Sequence, residues 1–390
     1  MTIVPNSAAP GPVLHRRFSP ASLRAGILLL SVLISLVLQW LTLPAGMHFG
    51  DEWLRDRFIS WRADPRPESR FVLVDIDEVS LTQLGPWPWP RQRIADLVEQ
   101  LIGPYGASGV ALDMFFSEPL DAAGDLRLAM LAQHGPLVMA QAFDYNHEQA
   151  LRVGRLIGGQ ATGLEQGAAR FAVPASGFVA NHAGLSQAAQ VGNIGFIPDK
   201  DGMLRRLPLF TEFSRSRYPT LSLALFHCCQ KNPPQADVQA LVGVSGNGFW
   251  RVPYSRQLEA YTVVPASMIL QQRFPLTALQ GKKVLVGSSS LGLSDRVATP
   301  LSPNVSGLMV HAAALTTLLD LQAGHVPQRW PGRALACLYS VAIALLLWLG
   351  LPRLPAMGNL ALLFGCSLAW LGAAYLLVPH DAQLISTGPL

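Results

Sequence analysis

The sequence predicts an α/β domain held between membrane-spanning helices, and three observations carry that prediction. Three uncharged apolar runs, 25–43, 334–351 and 358–378, stand apart from the rest of the chain. Between the first two lie 290 residues with charges throughout and several Gly/Pro-rich turns. Inside that stretch, short apolar runs alternate with a segment of helical periodicity, the pattern of strand, helix and strand.

The apolar runs hold 19, 18 and 21 residues. At a rise of about 1.5 Å per residue each reaches roughly 27 to 32 Å, the thickness of a bilayer's hydrocarbon core. The chain therefore reads as a cytoplasmic tail 1–24, a span 25–43, an extracytoplasmic domain 44–333, a span 334–351, a cytoplasmic loop 352–357, a span 358–378 and an external tail 379–390. Orientation follows from Arg16, Arg17 and Arg24 before the first run, with no acid beside them, and from Arg353 in the short loop. Arg329 and Arg333 pull the other way, but a domain of this length escapes the charge rule. A cleaved secretory signal competes with a retained anchor for the first run, since Pro44-Ala45-Gly46 offers small residues; its apolar core exceeds the usual ~7 to 15. Either way the domain lies outside the cytoplasm.

Composition agrees: 50% hydrophobic and 14% charged residues is apolar for a soluble chain. A net charge of +4, with no basic run longer than pairs such as Arg205-Arg206, gives no nucleic-acid footprint. The four cysteines form no disulfide framework: Cys337 and Cys366 fall in spans, and the neighbours Cys228 and Cys229 read as a buried thiol pair on a helix.

In the domain, Phe71-Val-Leu-Val-Asp75-Ile-Asp77 is a strand ending in carboxylates. The stiff segment Gly85-Pro-Trp-Pro-Trp-Pro90 precedes a helix from Arg91, with Ile94, Leu97, Val98, Leu101 and Ile102 on one face. Gly109-Val-Ala-Leu-Asp113 and Pro136-Leu-Val-Met-Ala140 are further strands, so the first two and their helix read as a βαβ unit with a parallel pair. Asp199-Lys-Asp-Gly202 predicts a hairpin turn, with both acids as turn residues. Lys282-Lys-Val-Leu-Val-Gly287 predicts a core strand, and 307–321 a helix with Leu308, Ala312, Leu315 and Leu319 on one face.

Several stretches then carry a resemblance. These are Asp51-Glu-Trp-Leu-Arg-Asp-Arg-Phe-Ile-Ser-Trp-Arg62, Val74-Asp-Ile-Asp-Glu-Val-Ser-Leu81 with Leu84-Gly-Pro-Trp-Pro-Trp-Pro-Arg91, Gly106-Ala-Ser-Gly-Val-Ala-Leu-Asp-Met-Phe-Phe-Ser-Glu-Pro119, Gly195-Phe-Ile-Pro-Asp-Lys-Asp-Gly-Met-Leu-Arg205, and Gly307-Leu-Met-Val-His311. In this order, over about 50–321, they resemble the second type of CHASE domain, the cyclases/histidine kinases associated sensory extracellular family. The resemblance implies a periplasmic input module in a bacterial inner membrane that feeds a kinase or nucleotide cyclase. No such output sequence is read within these 390 residues.

Candidate site residues follow from strand ends, because ligands of open α/β sheets bind beside them. Asp75, Asp77, Asp113, Ser288 and Asp295 fall at or after such ends, and Trp87, Trp89 and Arg91 offer apolar area and a charge. Each has a structural alternative as a cap, a turn or a packing residue. Catalytic motifs are weak: 287–292 has the glycine spacing of a phosphate loop but Leu293 where its Lys belongs, the serines lack a nucleophile elbow, and no histidine pair has zinc spacing. The reading is thus a non-enzymatic sensor with no cofactor and no metal. It faces a small periplasmic ligand and the lipid bilayer, together with a second copy or a partner receptor's helices. A metal-dependent hydrolase using the Asp cluster and a structural anchor are the alternatives.

Overall fold

The computed structural model describes residues 20–40, 49–145, 150–158, 172–229, 248–292, 295–325 and 332–378. The chain divides into two units, one made of 1–51 with 330–377 and 382–390, the other chiefly of 52–329. Residues 44–46 of the competing signal-peptide reading, Leu293 and the tails 1–19 and 379–390 lie outside the described residues.

The larger unit begins in helix α2 (Phe49–Arg62), which follows helix α1 (Pro20–Trp40). Next come β1 (Glu68–Asp75), α3 (Glu78–Leu84), α4 (Arg91–Ile102), β2 (Gly109–Leu112), α5 (Ala122–His134) and β3 (Leu137–Asp144). Short strands β4 (Arg152–Val153), β5 (Val173–Pro174) and β6 (Gly177–Val179) precede β7 (Gln190–Asn193). After it come β8 (Arg206–Pro208), β9 (Phe210–Phe213), β10 (Ser216–Pro219), α6 (Leu221–His227), β11 (Phe249–Arg251), β12 (Tyr261–Pro265) and α7 (Ala266–Leu270). Strands β13 (Lys283–Gly287), β14 (Arg296–Val297) and β15 (Val305–Ser306) lead into α8 (Gly307–Gln322).

The central sheet runs β12-β1-β13-β2-β3-β7, with every neighbouring pair parallel; β6 and β4 extend it beyond β3. Its strands are buried on both faces, which is why they read as continuous apolar runs. Val72, Val74, Val110, Leu112, Leu137, Met139, Val284 and Val286 face a core shared with α4, α5 and α7. Alternate residues such as Leu73, Ala111, Val138 and Leu285 are also fully buried, on the side where α6 and α8 pack. The result is a helix–sheet–helix sandwich. Each such Val or Leu contributes on the order of 1.5–3 kcal/mol by leaving water.

Helix α4 begins at Arg91 as the periodicity predicts, and Ile94, Leu97, Val98 and Leu101 are fully buried. Two expectations are corrected. Strands β1 and β2 are parallel but not partners, because β13, which arrives about 170 residues later, inserts between them. A central slot between two strands exposes unpaired backbone groups on both sides, and a third strand satisfies both rows. The turn at Asp199 closes, with Gly202 N donating to Asp199 O at 2.8 Å and Gly202 at φ 81°, but its flanks do not pair with each other. β7 joins the central sheet and β8 pairs with β11.

A third correction concerns Cys228 and Cys229. Helix α6 ends at His227, Cys228 is its C-cap, Cys229 turns back at φ 68°, and the two sulfurs form a vicinal disulfide rather than free thiols on a helix. Lys283 caps the same helix end, its ammonium donating to Leu225 O at 2.7 Å and Cys228 O at 3.3 Å; burial pushes it down to about 8.

The smaller unit holds α1, α9 (Gly332–Gly350) and α10 (Ala356–Leu377). Helix α10 is long and apolar enough to cross a membrane, and most of it is exposed, which a soluble core helix would not be. The apolar parts of the other two, Ala21–Val37 and Ala334–Gly350, are shorter. Ser35 and Ser340 hydroxyls meet at 2.9 Å, and the Tyr339 ring stacks on Trp370 at 4.9 Å. Leu29, Leu33, Leu338, Trp348, Leu360 and Phe364 point outward. Exposed apolar area on this scale marks a surface made for lipid or for partners.

Candidate functional site

A cleft of about 320 Å³ opens beyond the carboxyl ends of β2, β13 and β7. Its lining is Trp87, Asp113, Met114, Phe115, Ile194, Phe196, Ser288, Asp295, Gly307 and His311. The strand order places it where such sheets hold ligands, since the loops after adjacent strands diverge there.

Each wall has a local cause. Asp113 directly follows β2, and its N–H donates to Val286 O at 2.7 Å, which fixes the strand end beside β13. Gly287 ends β13 with no side chain: a Cβ there would stand 3.0 Å from Leu308 Cδ1 and 3.3 Å from Asp113 Cβ. That lets α8 approach the strand ends and bring Gly307 and His311 to the cleft. Ile194 and Phe196 are held by buried Asn193, whose carbonyl oxygen accepts from Phe143 N at 3.1 Å and Gly195 N at 2.7 Å. Its amide donates to Tyr145 Oη at 2.7 Å and Thr211 Oγ1 at 3.0 Å. Gly192 just before it allows α6 to pack close, since a Cβ would fall 2.4 Å from Leu221 Cα.

The electrostatics are one-sided. Burial, reinforced by the Asp295 carboxylate, pushes the Asp113 carboxyl up to about 7. Burial pushes His311 down to about 4, so the imidazole is neutral at pH 7. His311 Nδ1 lies 3.1 Å from Ser222 Oγ, and its Nε2 is 4.0 Å from Asp113 Oδ1, too far for a hydrogen bond. No Lys or Arg is part of the lining.

Of the residues singled out in the sequence, Trp87, Asp113, Ser288 and Asp295 come together here. The other four do not line this cleft. Asp75 accepts from Ser289 N at 2.7 Å and from the Ser289 hydroxyl, tying down the loop after β13; burial holds its carboxyl above the usual range despite these bonds. Asp77 is the N-cap of α3, accepting from Ser80 N at 2.8 Å. Trp89 is fully buried, its indole donating to Gly85 O at 2.8 Å. Arg91 sits over the Phe116 ring at 4.2 Å, donates to Glu118 O and lies 3.6 Å from Asp125, beside a smaller cavity of about 220 Å³ that shares Trp87 and Phe115. The four acids therefore do not gather, and among the described residues no group of three or more His, Cys, Asp or Glu could hold a metal ion. Sequence reasoning passed over Ile194, Phe196, Gly307 and His311; all four lie in or beside the stretches that carry the family resemblance.

The turn acids Asp199 and Asp201 belong to a second acidic cluster. Arg205, 3% exposed, donates to Asp56 at 2.6 Å, Asp199 at 3.0 Å and Asp201 at 2.7 Å, with Glu52 at 3.8 Å. Glu52 also pairs with Arg206 and Arg251. Burial alone would raise the Glu52 carboxyl, but Arg251, Arg205 and Arg206 together hold it below its usual range. This cage fastens α2 to the segment between β7 and β8.

The fold is an α/β domain with a small cleft that two acids line. A family model described as CHASE2 domain matches residues 27–352, so the chain belongs to the CHASE2 family. This is an extracellular, non-catalytic sensory domain family of signal-transduction receptors. No curated protein and no solved structure matches the chain.

Proposed function

We propose that this chain is the membrane-anchored, extracytoplasmic input module of a kinase- or cyclase-type receptor, and that its signal is a small molecule held in the cleft at Asp113. The observation that carries the reading is the place of α8: its first turn forms one wall of the cleft, and its chain continues through 323–331 into α9. A ligand that moves Gly307 or His311 therefore acts on the helix that leads to the apolar hairpin. On this reading α1, α9 and α10 all cross the inner membrane, with 44–333 outside, 352–357 inside and Leu390 outside. Signalling then runs through the helices of a second copy or of a partner receptor.

The test is a stability screen of the full chain, in detergent or nanodiscs, against small molecules, repeated with Asp113→Asn. A saturable shift that the substitution abolishes supports the cleft; ligand-induced shifts indifferent to every cleft substitution would remove it. Topology is checked by reporter fusions at Leu390, where an active alkaline phosphatase is expected and a fluorescent cytoplasmic reporter would mean a misassigned span.

A further inference from the structure

We propose that the ligand of this cleft is a small organic ammonium, a protonated amine or a quaternary ammonium group, an inference that rests on the cleft being the sensory site. Two carboxylates alone would not define such a site. Here Asp113 and Asp295 belong to the wall of a cavity whose remaining lining is largely Trp87, Met114, Phe115, Ile194 and Phe196.

The charge count decides the sign of the ligand. No Lys or Arg lines the cleft: Arg296, next to Asp295 in the chain, keeps its charge but turns its guanidinium to Ser289 O at 2.6 Å, where it acts on Asp75, and Arg91 serves Glu118 O and Asp125 in the neighbouring cavity. His311 is held neutral by its burial. The remaining positive feature is the N-terminus of α8 at Gly307, worth about half an elementary charge. The lining holds two carboxyl groups and no cationic side chain, so an anion would find no charged partner there and a cation would find two. A neutral ligand would leave Asp113 as it is, partly protonated and poorly solvated. A cation relieves the strain between the two acids and keeps both ionised.

The walls decide between a metal ion and an organic cation. Ca²⁺ takes six to eight oxygen ligands and Mg²⁺ an octahedral shell that water helps to complete; among the described residues no group of three or more His, Cys, Asp or Glu gathers to hold either, and the Ser288 hydroxyl already donates to Ile76 O at 2.8 Å. Aromatic faces beside carboxylates suit an alkylammonium, whose carbon atoms bury against the rings while its charge meets both the π-faces and the acids. A volume of about 320 Å³ is at the small end of ligand pockets, which limits the guest to a compact molecule.

The experiment is calorimetry and thermal shift on the full chain in nanodiscs. The probes are tetramethylammonium, choline, a primary monoamine and a diamine, set beside matching alcohols and carboxylates and beside Ca²⁺ and Mg²⁺. The expected result is saturable binding of at least one ammonium probe, weakened tenfold or more by Asp113→Asn and severalfold by Asp295→Asn. Asp295 is exposed at the cleft, so its variant keeps the test alive if Asp113→Asn perturbs folding. Binding of alcohols, carboxylates or divalent ions in preference to ammonium, lost in the same variants, would overturn the ammonium assignment and leave the cleft intact. Ammonium binding indifferent to both substitutions would overturn it too, by placing the amine elsewhere. Failure of every probe class in wild type and variants alike would remove the assignment and count against the cleft itself.

Discussion

Around Arg205, the acids Glu52, Asp56, Asp199 and Asp201 surround one buried guanidinium; in the cleft, Asp113 and Asp295 face inward with no guanidinium at all. Both sites hold carboxylates at segment ends of the same domain, Asp295 being the exposed one. In the first, Arg205, Arg206 and Arg251 set three charges against four carboxylates, and removing Arg205 leaves net buried charge. In the second, no guanidinium belongs to the lining, and burial raises the Asp113 carboxyl to about 7; burial also raises Asp56 in the cage, so the distinction lies in the ion pairs. A saturated charge cluster fixes structure, whereas an unsaturated one is available to a guest.

The largest expected effect tests the saturated side. Arg205→Met should cost about 3–5 kcal/mol in urea unfolding, because four acids then lose a common partner. A change below about 1 kcal/mol would mean that the cage is no more than a surface ion pair.

Asp113→Asn should act in the opposite direction. The folded Asp113 titrates at about 7 against an ordinary 3.8, so between those values the folded state holds a proton that the unfolded chain has lost. Wild-type stability contributed by this group therefore falls as pH rises from about 4 to 7, and is flat above. At about 1.4 kcal/mol per unit, the variant should gain roughly 2–4 kcal/mol over the wild type at pH 8 and little at pH 4. His311 contributes the reverse slope between about 4 and 6.5, so the difference between variant and wild type is the quantity to plot. A difference independent of pH would show that Asp113 is not strained. A variant more stable and yet unresponsive to ligand would show that the missing charge is functional.

Gly287→Ala should cost about 1–3 kcal/mol, since its Cβ meets Leu308 Cδ1 at 3.0 Å and Asp113 Cβ at 3.3 Å, and both side chains must shift slightly. The same shift should alter ligand response, which a purely local defect would not. Smallest is Asp77→Ala, worth about 1 kcal/mol as a lost N-cap, read as a lower Tm. Ligand affinity should be unchanged, and a loss there would return Asp77 to the site.

Much of the architecture was legible because it depends on local pattern. The face of α4, the core strand Lys283–Gly287, the buried helix after Gly307 and the apolar runs each follow from period or length within some 20 residues. The acids at strand ends are also legible as a class, which is what singles out Asp113 and Asp295. What local pattern could not separate was one strand-end Asp from another: Asp77 bonds to Ser80 and Asp75 to Ser289, while among the described residues no hydrogen bond holds the Asp113 carboxyl down.

By itself the sequence determined the class of the domain, its apolar helices and the family to which it belongs, since each of these is a property of runs and spacings. Only the tertiary structure decided that β13 enters between β1 and β2, that Asp199 and Asp201 grip Arg205 from a turn, and that Phe196, His311 and Trp87 share one cleft with Asp113. Those arrangements join residues up to about 220 positions apart. They are settled by which buried strand edge and which buried charge must find a partner, a requirement that exists only once the chain has closed on itself.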